Sequence, residues 1–256
     1  MAIGFGNGIE DVARGVLVYR DNVSGRNIGL IGIRQSAIRL VGQAAVGLFD
    51  VETASHNCLS WPRRRWNTWR LARTIRNDRN PHNFRMALAA VQQLMIFYIR
   101  PRPVVLVSVS ESAHSNLFPM DLIGQLGPDC FTLALRSSSI SVPTMTAARR
   151  VAISAIDAKF KSGVYKLGEH HKKEFTDWKS LCFPTHLTPH FGIPAISSAL
   201  RICELAVDHT EQIGSHMFFI CRIVSDVRTN EGPQLHHTAG FHQEFRRQRG
   251  DPFSPA

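Results

Sequence analysis

Two short apolar runs, residues 104–109 and 131–135, constrain this chain more than any other feature. The first is rich in β-branched residues and closes on a polar cluster, residues 110–115. The second closes on Arg136 and three serines. Apolar runs of this length, bounded by turn residues, predict buried strands. Each strand then delivers polar groups at its end, where a ligand can sit. Arg136, Ser137, Ser138, Ser139 and Ser141 together offer one fixed cation, four hydroxyls and several backbone N–H groups. A guanidinium matches phosphate oxygens in pairs, and hydroxyls add neutral donors, so the cluster can cradle a phosphate. It can equally be a solvated serine-rich turn, which is the commoner use of such a sequence.

The same pattern places further strands near 117–124, 151–156, 199–208, 216–227 and 234–238, which suits an antiparallel β-barrel with few helices. Residues 144–150 predict a short helix with Pro143 near its first position, and 157–167 a second helix or a loop. Upstream the pattern changes. Residues 9–19 and 28–49 carry apolar residues three and four apart, which predicts helices, although Gly29, Gly32, Gly42 and Gly47 weaken them. Residues 86–98 predict a helix after the break at Asn80-Pro81. Gly4-Phe5-Gly6-Asn7-Gly8 lacks the preceding strand and the spacing of a dinucleotide loop, and reads as a flexible terminus. The expectation is a mainly β chain, α+β overall, with a basic extension over 1–80, helical or partly disordered, and a barrel over 81–250.

Charge supports a division. Residues 1–100 hold 14 arginines and no lysine against 6 acids, a surplus of +8, whereas the rest carries +2. Residues 61–70 mix arginine with Trp61, Trp66 and Trp69, and Arg70, Arg73, Arg76 and Arg79 follow three apart. The reading preferred is a helix with one solvated arginine face and its tryptophans packed against the barrel. The lesser reading is a surface over 61–85 for nucleic acid or an acidic partner. Five widely spaced cysteines with no Cys-x-x-Cys pair argue against a disulfide framework and for a reducing compartment. No signal peptide is expected, and Arg34 and Arg39 interrupt the most apolar N-terminal stretch, so a cytoplasmic protein without a membrane span is expected.

From Pro101 onward the chain resembles a known family. Pro101-Arg102-Pro103-Val104-Val105-Leu106-Val107, then Asn116-Leu117-Phe118-Pro119, then Arg136-Ser137-Ser138-Ser139, is similar to the opening of the flavin reductase-like domains, which are FMN-binding split β-barrels. Arg149 to Ile156, Ala199 to Val207 and the turn Gly214-Ser215-His216 continue the resemblance in order, over about residues 96–245. The resemblance implies FMN as cofactor, NADH or NADPH as electron donor, hydride transfer to flavin as the reaction, and a homodimer. It implies that Ser115, Asn116, Leu117, Phe118, Pro119, Met120 and Asp121 line the isoalloxazine, partly through backbone groups. Arg136, Ser137, Ser138, Ser139 and Ser141 would hold the phosphate, and His216 would stand where nicotinamide stacks. Met120-Asp121 departs from the family, whose members often carry a hydroxyl residue there. An anion beside the pyrimidine edge disfavours the reduced flavin, which keeps a non-enzymatic FMN or electron-transfer protein as the alternative.

Other histidines weigh less. His170 and His171 suggest surface loop residues, or else groups for nicotinamide, substrate or proton transfer, and Asp177-Trp178-Lys179 occupies the place of a family segment near the flavin. His186 and His190 have a ligand-pair spacing but lie between Pro184 and Pro189 with no joining Cys or carboxylate, so no metal is expected. No nucleophile motif is present.

Overall fold

The computed structural model describes residues 2–5, 13–41, 44–79, 86–111, 114–172 and 176–250. Gly6-Asn7-Gly8, the Asn80-Pro81 break and Lys173 to Phe175 lie outside them. In chain order the elements begin with β1 (Ala2–Phe5), β2 (Arg14–Arg20), β3 (Asn27–Val41), β4 (Ala44–His56), α1 (Trp61–Asn77) and α2 (Leu88–Phe97). There follow β5 (Arg102–Pro103), β6 (Val105–Glu111), β7 (His114–Met120), β8 (Ile123–Gln125), β9 (Cys130–Arg136), α3 (Ser141–Ala148) and β10 (Arg150–Ala155). Then come α4 (Lys161–Lys166), β11 (Thr185–Leu187), β12 (Pro194–Ile196), β13 (Arg201–Ile213), β14 (His216–Arg228), β15 (His236–His237) and α5 (Gly240–Gln248).

The chain forms two compact units. One takes in most of the residues before Pro101 together with the segment from Thr238 that carries α5; the other holds Arg102–His237. In the first unit, β1, β4, β3 and β2 form an antiparallel sheet in that order. The described parts of 9–19 and 28–49 are therefore extended, which corrects the helical expectation. The physical reason is on the residues. Along β2 exposure alternates with period two, so Leu17 and Tyr19 turn inward while Val16 and Val18 face water. The glycines that weakened the helix serve close approach instead: a Cβ on Gly29 would lie 2.6 Å from Ile99 Cδ1, and one on Gly32 2.4 Å from Thr53 Oγ1. Ile28, Ile31, Phe49, Ile96, Ile99 and Phe241 close this unit's core.

The second unit is an antiparallel seven-stranded sheet, ordered β7-β6-β10-β13-β14-β9-β8 and curled into a half-barrel. Strand β6 shows why 104–109 had to be a strand. Val105, Val107 and Val109 enter the core on the concave face with Phe118, Leu133, Leu205 and Phe219. Val104 and Leu106 enter a second core with Leu117, Ile156, Val164, Phe183 and Ile196. A strand buried on both faces needs consecutive apolar residues. Register shifts at Glu204/Leu205 and Val207/His209 mark bulges in β13, which sharpen the curl. The stretch expected as one strand over 117–124 is two, β7 and β8, separated at Asp121 and Leu122. Helix α3 closes one end of the half-barrel with Val142 and Met145. It stops at Arg149, whose backbone is left-handed at φ 51° and whose guanidinium donates to the carbonyls of Val207 and Asp208.

Candidate functional site

The end of the half-barrel under α3 gathers the polar residues that close the strands. β14 begins at His216 directly opposite Arg136, the last residue of β9. Gly214, at φ +59°, makes the turn from β13 that brings His216 there. Ser137 N–H donates to Ser215 O at 3.0 Å, and Ser139 N–H to Arg136 O at 2.9 Å, so residues 136–139 form a tight turn beside His216. Arg136 is exposed and meets no carboxylate among the described residues. Ser137 Oγ is buried with no hydrogen-bond partner among them. Burial, reinforced by the Arg136 charge, pushes the His216 imidazole below its ordinary value of 6.5.

Behind this turn lies a buried hydrogen-bond network. Asn116 Nδ2 donates to Ser141 Oγ at 3.2 Å and to His170 O at 2.7 Å. Thr176 Oγ1 donates to Asn116 Oδ1 at 3.0 Å, and Leu117 N–H reaches the same oxygen at 2.8 Å. His114 Nε2 lies 3.4 Å from Ser141 Oγ, and His170 Nδ1 lies 3.0 Å from Leu117 O. A carbonyl only accepts, so His170 Nδ1 carries a proton. Thr176 N–H donates to Ser115 O, and the Trp178 indole donates to Ser115 Oγ, both at 2.7 Å. The free edge of β7 is thus tied down by the segment through His170, Thr176 and Trp178. Against that segment lies a cleft of about 470 Å³, lined by Lys166, His170, Thr176, Asp177, Ser180 and Cys182 among others.

The arrangement sorts the residues proposed from sequence. Arg136, Ser137, Ser138 and Ser139 share one turn with His216 beside it. Ser139 and Ser141 are buried, and Ser141 belongs to the network with Asn116. Leu117, Phe118 and Met120 put their side chains into the two cores, leaving only backbone toward any ligand. Pro119 is half-buried between them. Asp121 lies at the opposite end of β7, its carboxylate 2.8 Å from His237 Nδ1. His170, expected on the surface, is buried, because its ring bonds the edge of β7. The side chain of His171 lies outside the described residues. His186 and His190 stand apart from any third ligand, and among the described residues no three His, Cys, Asp or Glu side chains group to hold a metal. The network members His114 and Thr176 were not singled out from sequence. Thr176 meets Asn116 across 60 residues, a relation no local pattern encodes. Burial pushes the Cys58 and Cys203 thiols up to about 12, which removes them as nucleophiles. No helix among the described residues is long and apolar enough to cross a membrane.

A curled antiparallel half-barrel with this strand order is a split-barrel fold. The flavin reductase-like domain model matches residues 97–244, and the chain belongs to that family. Among solved structures it is similar to the NADH:FAD oxidoreductase SgcE6 of Streptomyces globisporus C-1027, at 18% identity and a TM-score of 0.54, covering 62% of this chain and 95% of that one. It is similar to BorF, the flavin reductase component of a bacterial two-component tryptophan halogenase, at 14% identity and a TM-score of 0.53, covering 59% and 94%. A third solved structure, from Haemophilus somnus 129pt, gives 15% and 0.52, covering 60% and 96%. At these identities the likeness is one of fold. No curated protein matches the chain.

Proposed function

We propose that this protein binds FMN at the turn 136–139 and reduces it with NADH or NADPH. The observation that carries the reading is that, among the described residues, Arg136 meets no carboxylate and the buried Ser137 Oγ beside it has no partner, inside the span that matches the family. A buried hydroxyl without a partner is costly, and a phosphate oxygen accepts from both groups. The donor set therefore fits a phosphate. Arg136, Ser137 and Ser138 hold it. Ser139 braces the turn, its Oγ 3.4 Å from Ser141 N, and Ser141 is occupied with Asn116. Asn116 and Thr176 fix the β7 backbone, so Ser115 to Asp121 present a rigid strand to the ring. His216, kept neutral, has a lone pair or one N–H to offer a carboxamide. A flavin held by these residues would supply the hydride-accepting chemistry, and the part of the protein would be orientation and exclusion of water.

The alternative of a flavin carrier draws on the Asp121 anion, which would oppose charge on a reduced ring. His237 beside it supplies a hydrogen-bond donor that weakens that objection. The test is direct. Purified protein is titrated with FMN, FAD and riboflavin by fluorescence quenching, and NADH and NADPH oxidation is then followed with each flavin. Arg136→Ala should weaken FMN roughly ten- to hundredfold, the loss of one charge-assisted bond, and leave riboflavin unchanged. Equal effects on FMN and riboflavin would move the phosphate elsewhere. Tight FMN binding without nucleotide oxidation would establish the carrier.

A further inference from the structure

Helix α1 is built the wrong way round for a helix that serves only its own core. None of its 17 residues is buried. The side turned toward the rest of its unit is modest: Arg64, Asn67, Thr68, Leu71, Ala72 and Ile75 are half-buried. It is held there by Arg64 Nη1 donating to His56 O at 2.9 Å and by Gln92 Nε2 donating to Thr68 Oγ1 at 3.0 Å. The largest apolar side chains face water. Trp61, Trp66 and Trp69 are 62%, 60% and 49% exposed, so none of them closes the core of its own unit. Arg65, Arg70, Arg73 and Arg76 share their side and meet no carboxylate among the described residues. The helix contains no acid at all.

The details narrow the partner. Trp66 and Trp69 stack on each other with centroids 5.0 Å apart and planes 24° from parallel. Arg65 lies over the Trp61 ring at 5.0 Å and Arg73 over Trp69 at 5.6 Å. Flat π-faces and phosphate-seeking guanidinium groups thus alternate along one exposed strip. A membrane-surface helix segregates these chemistries, with apolar residues on one face and cations on the other. Here, inserting Trp61 and Trp69 would carry Arg65 and Arg73 into the lipid with them. An acidic protein would use the arginines and leave the stacked tryptophans without a role. A nucleic-acid single strand uses both, since phosphates take the guanidinium groups and unpaired bases stack on indole. A duplex keeps its bases stacked on one another. We infer that the exposed face of α1 binds single-stranded nucleic acid, with Trp61, Trp66 and Trp69 as stacking platforms and Arg65, Arg70, Arg73 and Arg76 on the backbone. The surplus of +8 in residues 1–100 favours the approach of such a polyanion. This inference is independent of the flavin reading.

A chain of pI near 10.0 is attracted to any polyanion, so the test must isolate the bases. Full-length protein is titrated, by fluorescence anisotropy, with a dT oligonucleotide of about 16 nucleotides, the upper end of single-strand site sizes, and with an abasic strand of equal length. The dT strand should bind more tightly than the abasic one. Trp66→Ala/Trp69→Ala should weaken dT roughly five- to hundredfold for each stacked base lost, and leave the abasic strand unchanged. Trp66→Leu/Trp69→Leu keeps apolar bulk without an aromatic face and should show the same loss, with an unchanged circular dichroism spectrum. Arg65→Gln/Arg73→Gln should lower the salt slope by about 0.7 for each phosphate contact removed. Equal affinity for dT and abasic strands, or wild-type dT binding by both tryptophan variants, would overturn the inference and reduce the face to nonspecific charge. Tryptophan-dependent binding to phosphatidylserine vesicles that displaces the oligonucleotide would overturn it in favour of a membrane surface.

Discussion

His216 sits where two influences act in one direction: burial and the Arg136 charge both disfavour its protonated form. A neutral ring at the head of β14 either bonds the reacting pair or merely braces the turn through Ser215 Oγ, 3.1 Å from its Nδ1. Kinetics separates the roles. If His216 touches the reactants, His216→Asn keeps FMN affinity and Tm while slowing stopped-flow flavin reduction roughly tenfold or more. A normal reduction rate in a well-folded variant removes it from catalysis. His56 offers a contrasting case of stability. Its ring stacks on Phe241 at 4.2 Å, its Nδ1 has no partner among the described residues, and burial, then the Arg64 charge, pushes its pKa down to about 4. Above its ordinary value of 6.5 it is neutral folded or unfolded and contributes no pH dependence. As pH falls from 6.5 toward 4, the unfolded chain binds a proton that the folded ring refuses, so stability falls. A fully dry group would deliver about 1.4 kcal/mol per pKa unit; His56 is partly wet, so a loss of about 1–2 kcal/mol is expected. Urea melts at about pH 7.5 and about pH 4.5 should differ less in His56→Phe than in the wild type. An unchanged difference would place the acid sensitivity elsewhere.

At the scale of elements, one side chain on β7 joins three parts of the half-barrel unit. Asn116 is fully buried and links β7 to Ser141 at the start of α3 and to Thr176 beyond α4. Asn116→Ala takes away the acceptor of the Thr176 hydroxyl and a donor to the His170 carbonyl. Each buried group so left costs about 1–3 kcal/mol, and a chain of this size loses about 2–4 °C of Tm per kcal/mol. A Tm lowered by less than about 2 °C, roughly the effect of half a kcal/mol, would show that the edge is held by other bonds. The same element marks how far the sequence was legible. Strands β6, β9, β10, β13 and β14 lie where the apolar runs put them, because a strand buried on both faces writes itself as consecutive apolar residues. The turn 136–139 and its neighbour His216 were legible as well, because they sit directly at strand ends. β2, β3 and β4 were misread as helices. Their apolar residues fit both periods over short windows, and glycine at 29 and 32 looked like a helix fault when it was a requirement of packing. The Asn116 network was not legible, since its partners are 25 to 60 residues away.

At the scale of the molecule, the half-barrel sheet has two ends, β7 and β8, that do not pair with each other. His170, Thr176 and Trp178 bond the edge of β7, while β8 is three residues long. The turn that carries Arg136 and Ser138 is exposed at the mouth of this open sheet. A flavin ring held there by one chain would keep one side in water, which defeats the exclusion of solvent that hydride transfer needs. A second copy would supply the missing wall, and the homodimer that the family resemblance implies is the expectation to test. Two measurements should then agree. Light scattering should return twice 28.7 kDa at working concentration. FMN affinity should fall when the protein is diluted until the dimer separates, because a ligand that bridges both copies stabilises their association by mass action. A mass near 28.7 kDa together with an FMN affinity independent of protein concentration would mean that a single chain builds the whole site.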